Sequence, residues 1–427
     1  MQTSKHGVKL RLTIMNFLQF AVWGSYLTSM GNYLGTHGLG GHIGLFYAML
    51  GIVSIFMPAL MGIVADRWIP AQRLLGLCHL IAALMMLGLC GYTLLSPSLD
   101  FVPMILLYSL SVAFYMPTLA LSYSVSYYAL EEAGYDIVKD FPSIRIFGTI
   151  GFICCMLLID FAGLQQTSYQ FAVSGAFGLL LFMYSFVLPH CPVAPAGGQK
   201  TLVEALGLKA FSLFRERKMA LFFIFSMLLG VSLQVSNGFA NSFITDFKKI
   251  PEFADSFGAN HANALISLSQ MSETLCILLI PFFLKRFGIK RVMLMAMMGW
   301  VLRFGFFAVG DPGPGVWLFV LSMIVYGLAF DFFNVSGSLF VDQETDKSMR
   351  SSAQGLFMLM TNGIGATLGV LGAQLVVDRF VFSETDPLAV IEGWSTSWYI
   401  FAGYSLLIAV LFAVFFRYRG DVEEVKH

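Results

Sequence analysis

Two acidic residues lie near the middle of long apolar stretches of the chain. Glu273 lies in the run 262–284 and Asp331 in the run 316–341, and neither run contains another charged residue. At a helical rise of about 1.5 Å per residue, each carboxyl would lie roughly 15 Å from an end of its run. A carboxylate at that depth in a bilayer is costly, so it usually carries a proton, binds a polar substrate or pairs with a buried cation. The first two roles together describe proton-coupled transport.

Other polar and aromatic side chains repeat at helical spacing in the apolar runs, where positions three or four apart share a face. Aromatic rings can stack on a flat base, and amides and carboxylates can bond ring atoms or hydroxyls. This combination favours a small, neutral, planar solute that carries hydroxyl groups. The sets are Arg145 with Thr149 and Phe152, Gln234 with Asn237, Gln270 with Glu273, Tyr326 with Phe330 (Asp331 and Asn334 adjoining), and Asn16 with Gln19, Trp23 and Tyr26.

Each of these residues has a structural alternative. Gln and Asn often hold membrane helices together, and Arg145, near the start of its run, could be an anchor at the membrane interface. Arg303 is expected to be a structural partner, for example for a carboxylate on a neighbouring helix. For Glu273 and Asp331 the alternative is a buried ion pair or a protonated hydrogen-bond donor.

The composition indicates elements that can place such residues in a membrane. Of 427 residues, 57% are hydrophobic and only 12% are charged, whereas a soluble domain carries about a quarter charged residues. A helix needs about 20 apolar residues to cross the hydrocarbon core. Twelve runs meet this length and predict an all-α integral membrane protein: 12–34, 43–64, 74–96, 101–128, 143–163, 168–189, 219–244, 262–284, 292–310, 316–341, 353–377 and 394–416, named spans 1 to 12 below.

The cations predict the orientation of these spans. Both tails and the loops after even-numbered spans together hold 20 of the 25 Lys and Arg residues. Because cytoplasmic loops are enriched in cations, both termini are predicted to be cytoplasmic. The net charge of zero gives no reason to expect a nucleic-acid partner.

The chain reads as two pseudo-symmetric six-helix halves, 1–189 and 219–427, joined by a cytoplasmic linker, 190–218, with a short amphipathic helix at 201–216. Asp66 and Arg67 follow span 2, and a second cationic loop, 285–291, follows span 8 at the matching place. The loop after span 2 resembles a signature of the major facilitator superfamily, although the second copy, after span 8, lacks the acid. The resemblance implies that Asp66 and Arg67 form a conformational latch; the alternative is a solvated, positively charged turn.

Longer strings are similar to one branch of that superfamily, the bacterial nucleoside:proton symporters. They are 140–152, 225–230, 269–274 and 322–334, and the resemblance extends over the whole chain. It implies uptake of purine and pyrimidine nucleosides, such as uridine and adenosine, driven by the proton gradient without a cofactor or metal. It also implies a monomer in the lipid bilayer of a bacterial inner membrane, which is a transporter and not an enzyme.

The resemblance also implies which residues bind the nucleoside and which carry the proton. Asp331 and Glu273 are the proton-coupling residues expected from it. The alternatives are a sugar:proton symporter, less favoured a drug-efflux pump, or a membrane sensor or enzyme without transport. The expected nucleoside ligands are Arg145, Thr149, Phe152, Gln234, Asn237, Gln270, Glu273, Tyr326 and Phe330.

Overall fold

The computed structural model describes residues 5–193, 208–346 and 349–418, and their regular structure is entirely helical. Within these ranges, ten helices are long and apolar enough to cross a membrane. One of them, Ala262–Val309, contains both span 8 and span 9. Span 1 is divided into two shorter helices. The described helices therefore account for all twelve predicted spans.

Most helices begin and end close to the predicted limits. Two are different: the span 12 helix begins at Pro387 and not at residue 394, and the span 5 helix begins at Ile137 and not at residue 143. The span 5 helix continues outward past the apolar run to include Lys139 and Asp140, which hydropathy alone does not assign to a span. The continuous helices are Ile43–Arg67, Ala71–Leu95, Phe101–Glu132, Ile137–Phe161, Tyr169–Tyr184, Val316–Glu344 and Pro387–Phe415 (spans 2 to 6, 10 and 12).

Three spans predicted as continuous are interrupted. Span 1 consists of Lys5–Gly24 and Met30–Thr36, with turns at 25–29. Span 7 consists of Arg217–Gly230 and Val235–Asp246, with turns at 231–234. Span 11 consists of Arg350–Met358 and Ala366–Val377, joined by the π-helix Leu359–Gly365 and followed by a second, Asp378–Phe382. Such π-helical turns are frequent at functional sites of membrane and soluble proteins alike.

Spans 8 and 9 are separated by a sharp change of direction at Gly288. Its φ of 75° lies in the left-handed region, which glycine adopts without the steric penalty of a Cβ atom. Gly288 lies within the cationic loop predicted at 285–291. The kink therefore divides a 48-residue helix into two spans.

The contacts divide the chain into two compact units. Unit 1 comprises the described parts of Met1–Gly38 and Ile52–Leu206, and unit 2 those of Leu39–Gly51 and Gly207–His427. The start of span 2 thus packs in unit 2, where the Gly44 amide donates to Gln374 Oε1 at 2.6 Å. The division into 1–189, 190–218 and 219–427 stays a prediction. Of the predicted amphipathic helix 201–216, residues 201–207 lie outside the described chain, and Leu208–Arg215 is a 3₁₀ helix.

Glycines let pairs of helices touch through their backbones within each unit. In unit 1, a Cβ atom at Gly24 would overlap the backbone of Phe152. In unit 2, a Cβ atom at Gly369 would overlap the backbone of Val231. Small residues at such crossings permit the close packing that holds membrane helices together. Spans 1 and 5 form one such pair, and spans 7 and 11 form the other.

Candidate functional site

In unit 1, the cation Arg145 lies two turns inside the span 5 helix. Its guanidinium stacks on the ring of Phe20 at 4.0 Å, and Nε donates to Tyr123 Oη at 2.8 Å. Nη1 lies 3.5 Å from Thr149 Oγ1, one turn further along the helix. Arg145 and Thr149 are both partly exposed. Because the span 5 helix begins at Ile137, Arg145 lies well within the helix although it is near the start of the apolar run.

The ring of Phe152 continues this face of span 5. Phe152 is buried, at 6% exposure, and lies edge-on to Trp23 with ring centroids 6.4 Å apart. Trp23 in turn lies 5.7 Å from the ring of Tyr115. Unit 1 therefore combines one partly exposed guanidinium, a hydroxyl and an aromatic wall.

A buried polar network behind this wall was not predicted as a unit. Gln19 Nε2 donates to Thr118 Oγ1 at 2.6 Å, and Gln19 Oε1 lies 2.7 Å from His79 Nε2. Tyr115 Oη donates to the Gln19 carbonyl at 2.8 Å. Helical spacing placed Gln19 on the face of Trp23, but it could not show that His79 lies opposite. A lone histidine in a Leu-rich span gives no such signal by itself.

In unit 2, two predicted amide ligands meet at the interruption of span 7. Gln234 is the last residue of the turn, and Asn237 lies in the first turn of the following helix. Asn237 Nδ2 donates to Gln234 Oε1 at 3.0 Å. Both side chains remain partly exposed, so their other polar atoms can face a ligand.

Spans 8 and 10 meet at Gly327, whose missing Cβ atom lets the span 10 backbone approach that of Ser272 and Glu273. Tyr326, next to Gly327, stacks on Phe330 with ring centroids 5.7 Å apart and planes 11° apart. Gln270 and Glu273 are partly exposed on span 8. Carboxyl, amide and stacked rings are thus neighbours on two packed helices.

The two acids predicted from the apolar runs come together in unit 2. Asp331 is buried, at 5% exposure, and its Oδ2 atom has no hydrogen-bond partner among the described residues. It lies close enough to Glu273 for their charges to interact. No cation among the described residues forms an ion pair with Asp331, so a buried ion pair does not account for it.

Arg303 contacts neighbouring helices, as expected for a structural partner, but none of the ion pairs among the described residues joins it to a carboxylate. The partners of its guanidinium are hydroxyls, a backbone carbonyl, the sulfur of Met323 and aromatic rings. Span 9 packs Arg303 against spans 7, 8 and 10 and leaves it only 2% exposed. Sequence spacing along one helix gives no information about partners on three others.

The structure also locates the remaining predicted residues. Asp66 and Arg67 are the last two residues of the span 2 helix, partly exposed and exposed respectively. In the described ranges, no group of three or more His, Cys, Asp or Glu side chains lies close enough to hold a metal ion. Arg145 and Thr149 are neighbours, as are Gln234 and Asn237 and the groups of spans 8 and 10, and their role in binding stays a prediction.

Comparison with known proteins identifies the family. A profile described as "Nucleoside H+ symporter" matches residues 6–421. The chain belongs to this family. It is 47% identical to the xanthosine permease of Escherichia coli over 424 residues, 99% of each chain. It is also 47% identical to the nucleoside permease NupG of E. coli over 416 residues, 97% of each chain.

Solved structures agree with this nucleoside H+ symporter assignment. A crystal structure of NupG matches with a TM-score of 0.88 over 96% of this chain and 100% of that one. A D-xylose–proton symporter, only 14% identical, matches with a TM-score of 0.70 and shows the shared fold alone. The protein therefore has the major facilitator fold. As a member of this family it is a membrane transporter, not an enzyme, and couples nucleoside uptake to protons.

Proposed function

We propose that this symporter imports purine and pyrimidine nucleosides, such as uridine and adenosine, across a bacterial inner membrane by alternating access. The proton gradient supplies the driving force without a cofactor, and the working unit is a monomer in the bilayer. The excess of cations in the tails and even-numbered loops supports cytoplasmic termini. The names of its permease relatives, which specify xanthosine and nucleosides, support the substrate class.

The buried carboxyl of Asp331 is the observation that carries the coupling proposal. Its Oδ2 atom lacks a partner in the described chain, and an unpaired charge there would be costly. A proton removes that charge, and nucleoside then binds at lower cost to the same helices. On the cytoplasmic side the nucleoside is released and the proton is lost, and the empty transporter then resets. Glu273 is the second candidate for carrying the proton, because the two carboxyls interact.

The proposed nucleoside ligands are carboxyl, amide, hydroxyl, guanidinium and aromatic side chains, and they form one set in each unit. In unit 2, the Tyr326–Phe330 stack supplies a flat surface for the base. Amides can accept and donate to base edges and ribose hydroxyls. The full proposed set is Gln234, Asn237, Gln270, Glu273, Tyr326 and Phe330 in unit 2, with Arg145, Thr149 and Phe152 in unit 1.

Asp66 and Arg67 are proposed to act as a latch during the conformational cycle. Both residues lie at the end of the span 2 helix, where Asp66 is partly exposed and Arg67 is exposed. This position supports a role in reversible contacts. Conversion of either residue to Ala would then slow turnover more than it weakens nucleoside binding.

Uptake into proteoliposomes tests the proposed function. Radiolabelled uridine and adenosine are supplied with and without an inward proton gradient, and unlabelled xylose and glucose serve as competitors. We expect gradient-dependent accumulation that excess nucleoside abolishes and sugar leaves unchanged. Competition by sugar, or accumulation that ignores the gradient in folded protein, would contradict the proposal.

A further inference from the structure

Arg303 is almost completely enclosed by protein, with 2% of the residue exposed. Nη1 donates to the Ser322 carbonyl at 2.9 Å and to Ser269 Oγ at 3.3 Å, and Nε donates to Ser236 Oγ at 3.4 Å. The guanidinium also lies over the ring of Tyr326 at 4.5 Å. One side chain of span 9 is therefore bonded to spans 7, 8 and 10.

Four of the groups that contact Arg303 are proposed nucleoside ligands or lie near one on the same helix, and its further contacts are Met323 Sδ at 3.9 Å and the ring of Phe307 at 5.2 Å. Ser236 precedes Asn237, and Ser269 precedes Gln270. Ser322 lies one helical turn before Tyr326, which contacts the guanidinium directly. A single cation thus contacts the helix segments that carry Asn237, Gln270 and Tyr326.

Burial of a cation without a counter-ion costs more free energy than joining helices through apolar contacts. The described residues provide no carboxylate in an ion pair with Arg303, so its loss of hydration is offset by hydroxyls, a carbonyl, a thioether sulfur and ring faces. Spans 7, 8 and 10 could pack through apolar side chains at lower cost. The planar fork of arginine, however, bonds several groups in fixed directions.

We propose that Arg303 is a positioning residue that sets nucleoside affinity and selectivity by orienting Asn237, Gln270 and Tyr326. It acts through its partners and does not itself touch the substrate. The inference rests on the proposed function, since it assumes that these three residues bind the nucleoside. It predicts that disturbing Arg303 changes substrate recognition more than it changes the rate of transport.

The test measures uridine and adenosine uptake by purified, reconstituted Arg303→Lys, with Vmax expressed per folded transporter. Lysine keeps the charge but lacks the fork that bonds Ser236, Ser269 and the Ser322 carbonyl together. We expect KM for uridine to rise about tenfold or more, because two or more hydrogen bonds to a charged group are lost. Vmax should stay within about twofold, and the uridine-to-adenosine preference should shift.

Hydroxyl deletions keep the test decisive even where Arg303→Lys fails to fold. Ser236→Ala and Ser269→Ala each remove one partner, and each should raise KM about threefold to tenfold. Ser226→Ala is the matched control on span 7, because its buried hydroxyl donates to the Phe222 carbonyl of its own helix at 2.8 Å and does not contact Arg303. KM of this control should equal that of the wild type.

The outcomes separate this inference from the proposed function. No nucleoside uptake by the folded wild type would reject both. Wild-type uptake combined with unchanged KM and unchanged selectivity in the Arg303 and serine variants would reject the positioning role alone. A fall in folded amount and Vmax at constant KM would show that Arg303 only holds the helices together.

Discussion

Arg145 in unit 1 and Arg303 in unit 2 are similar in chemistry and differ in access. Both guanidiniums stack on an aromatic ring, Phe20 at 4.0 Å and Tyr326 at 4.5 Å respectively, and both bond hydroxyl groups. Arg145 is partly exposed, whereas Arg303 is 2% exposed. Arg145 can therefore offer donors to a ligand, while the donors of Arg303 are directed at the protein.

This difference shows that a cation within a membrane span can serve two purposes. A partly exposed cation keeps donors for a solute, and an enclosed one fixes the geometry of its neighbours. The two cases cannot be separated by residue type, because both are arginines within apolar runs. They are separated by whether hydroxyls and carbonyls of other helices surround the guanidinium.

Removal of the accessible cation should have the larger effect. Arg145→Ala is expected to weaken uridine binding by about 10- to 100-fold, since a charge-assisted hydrogen bond contributes roughly 1.5 to 3 kcal/mol. Equilibrium binding to purified protein measures this effect. Arg145→Lys should recover only part of it, because lysine does not reproduce the planar fork. Binding within twofold of the wild type in Arg145→Ala would contradict the ligand role.

Removal of the Tyr326 ring, which lies against the Arg303 guanidinium, should have an intermediate effect on nucleoside binding. Tyr326→Leu removes the stack with Phe330 and the surface below Arg303, and each aromatic contact contributes about 0.5 to 1.5 kcal/mol. Nucleoside affinity should fall about 5- to 30-fold in this variant. Tyr326→Phe keeps the ring and is the matched control, so it should lose less than Tyr326→Leu in the same binding assay. Equal losses in both would assign the effect to the hydroxyl.

Two glycines near the arginines should give the smallest effects and differ from each other. A Cβ atom at Gly148 would lie 2.6 Å from Phe20 and 2.8 Å from Arg145 Nη1, whereas one at Gly305, two residues after Arg303, would meet nothing within 4 Å. Because flexible side chains can move aside, Gly148→Ala should weaken uridine binding only about twofold to fivefold, a free-energy change below about 1 kcal/mol.

Gly305→Ala is the control for this pair and should leave binding unchanged. Its thermal stability should stay equal or rise slightly, because Ala is about 1 kcal/mol more favourable than Gly inside a helix. Thermal unfolding of both variants in detergent checks their folding. Equal uridine binding by Gly148→Ala and Gly305→Ala would contradict the proposal that Arg145 contacts the ligand and Arg303 does not.

Apolar length predicted the twelve spans and cation placement their orientation, whereas the superfamily was predicted only from the resemblance of the loop at Asp66 and Arg67 and of longer strings. Apolar length did not predict the interruptions at 25–29 and 231–234, because polar residues such as Ser29 and Gln234 are tolerated within an apolar run without altering its mean hydropathy. The early start of span 5 was missed for a related reason: Lys139 and Asp140 continue the helix beyond the apolar run.

Helical spacing predicted that Gln234 and Asn237 are neighbours, and their side chains are hydrogen-bonded although Gln234 lies in the turn before the helix. It could not predict which helix lies opposite, so it missed the Gln19–His79 contact and the hydroxyl and carbonyl partners of Arg303. Contacts between helices depend on close backbone approach, as at Gly327 and Gly369. A glycine in the sequence does not specify which backbone it will meet.

If Asp331 couples nucleoside movement to a proton, protons must enter together with uridine, and this entry can be measured. Uridine is added to proteoliposomes that contain a trapped pH-sensitive dye and no imposed gradient. For the wild type we expect acidification of the lumen when uridine enters. Asp331→Asn should exchange labelled for unlabelled uridine and produce no acidification. Acidification by Asp331→Asn equal to that of the wild type would show that Asp331 does not couple uridine entry to a proton.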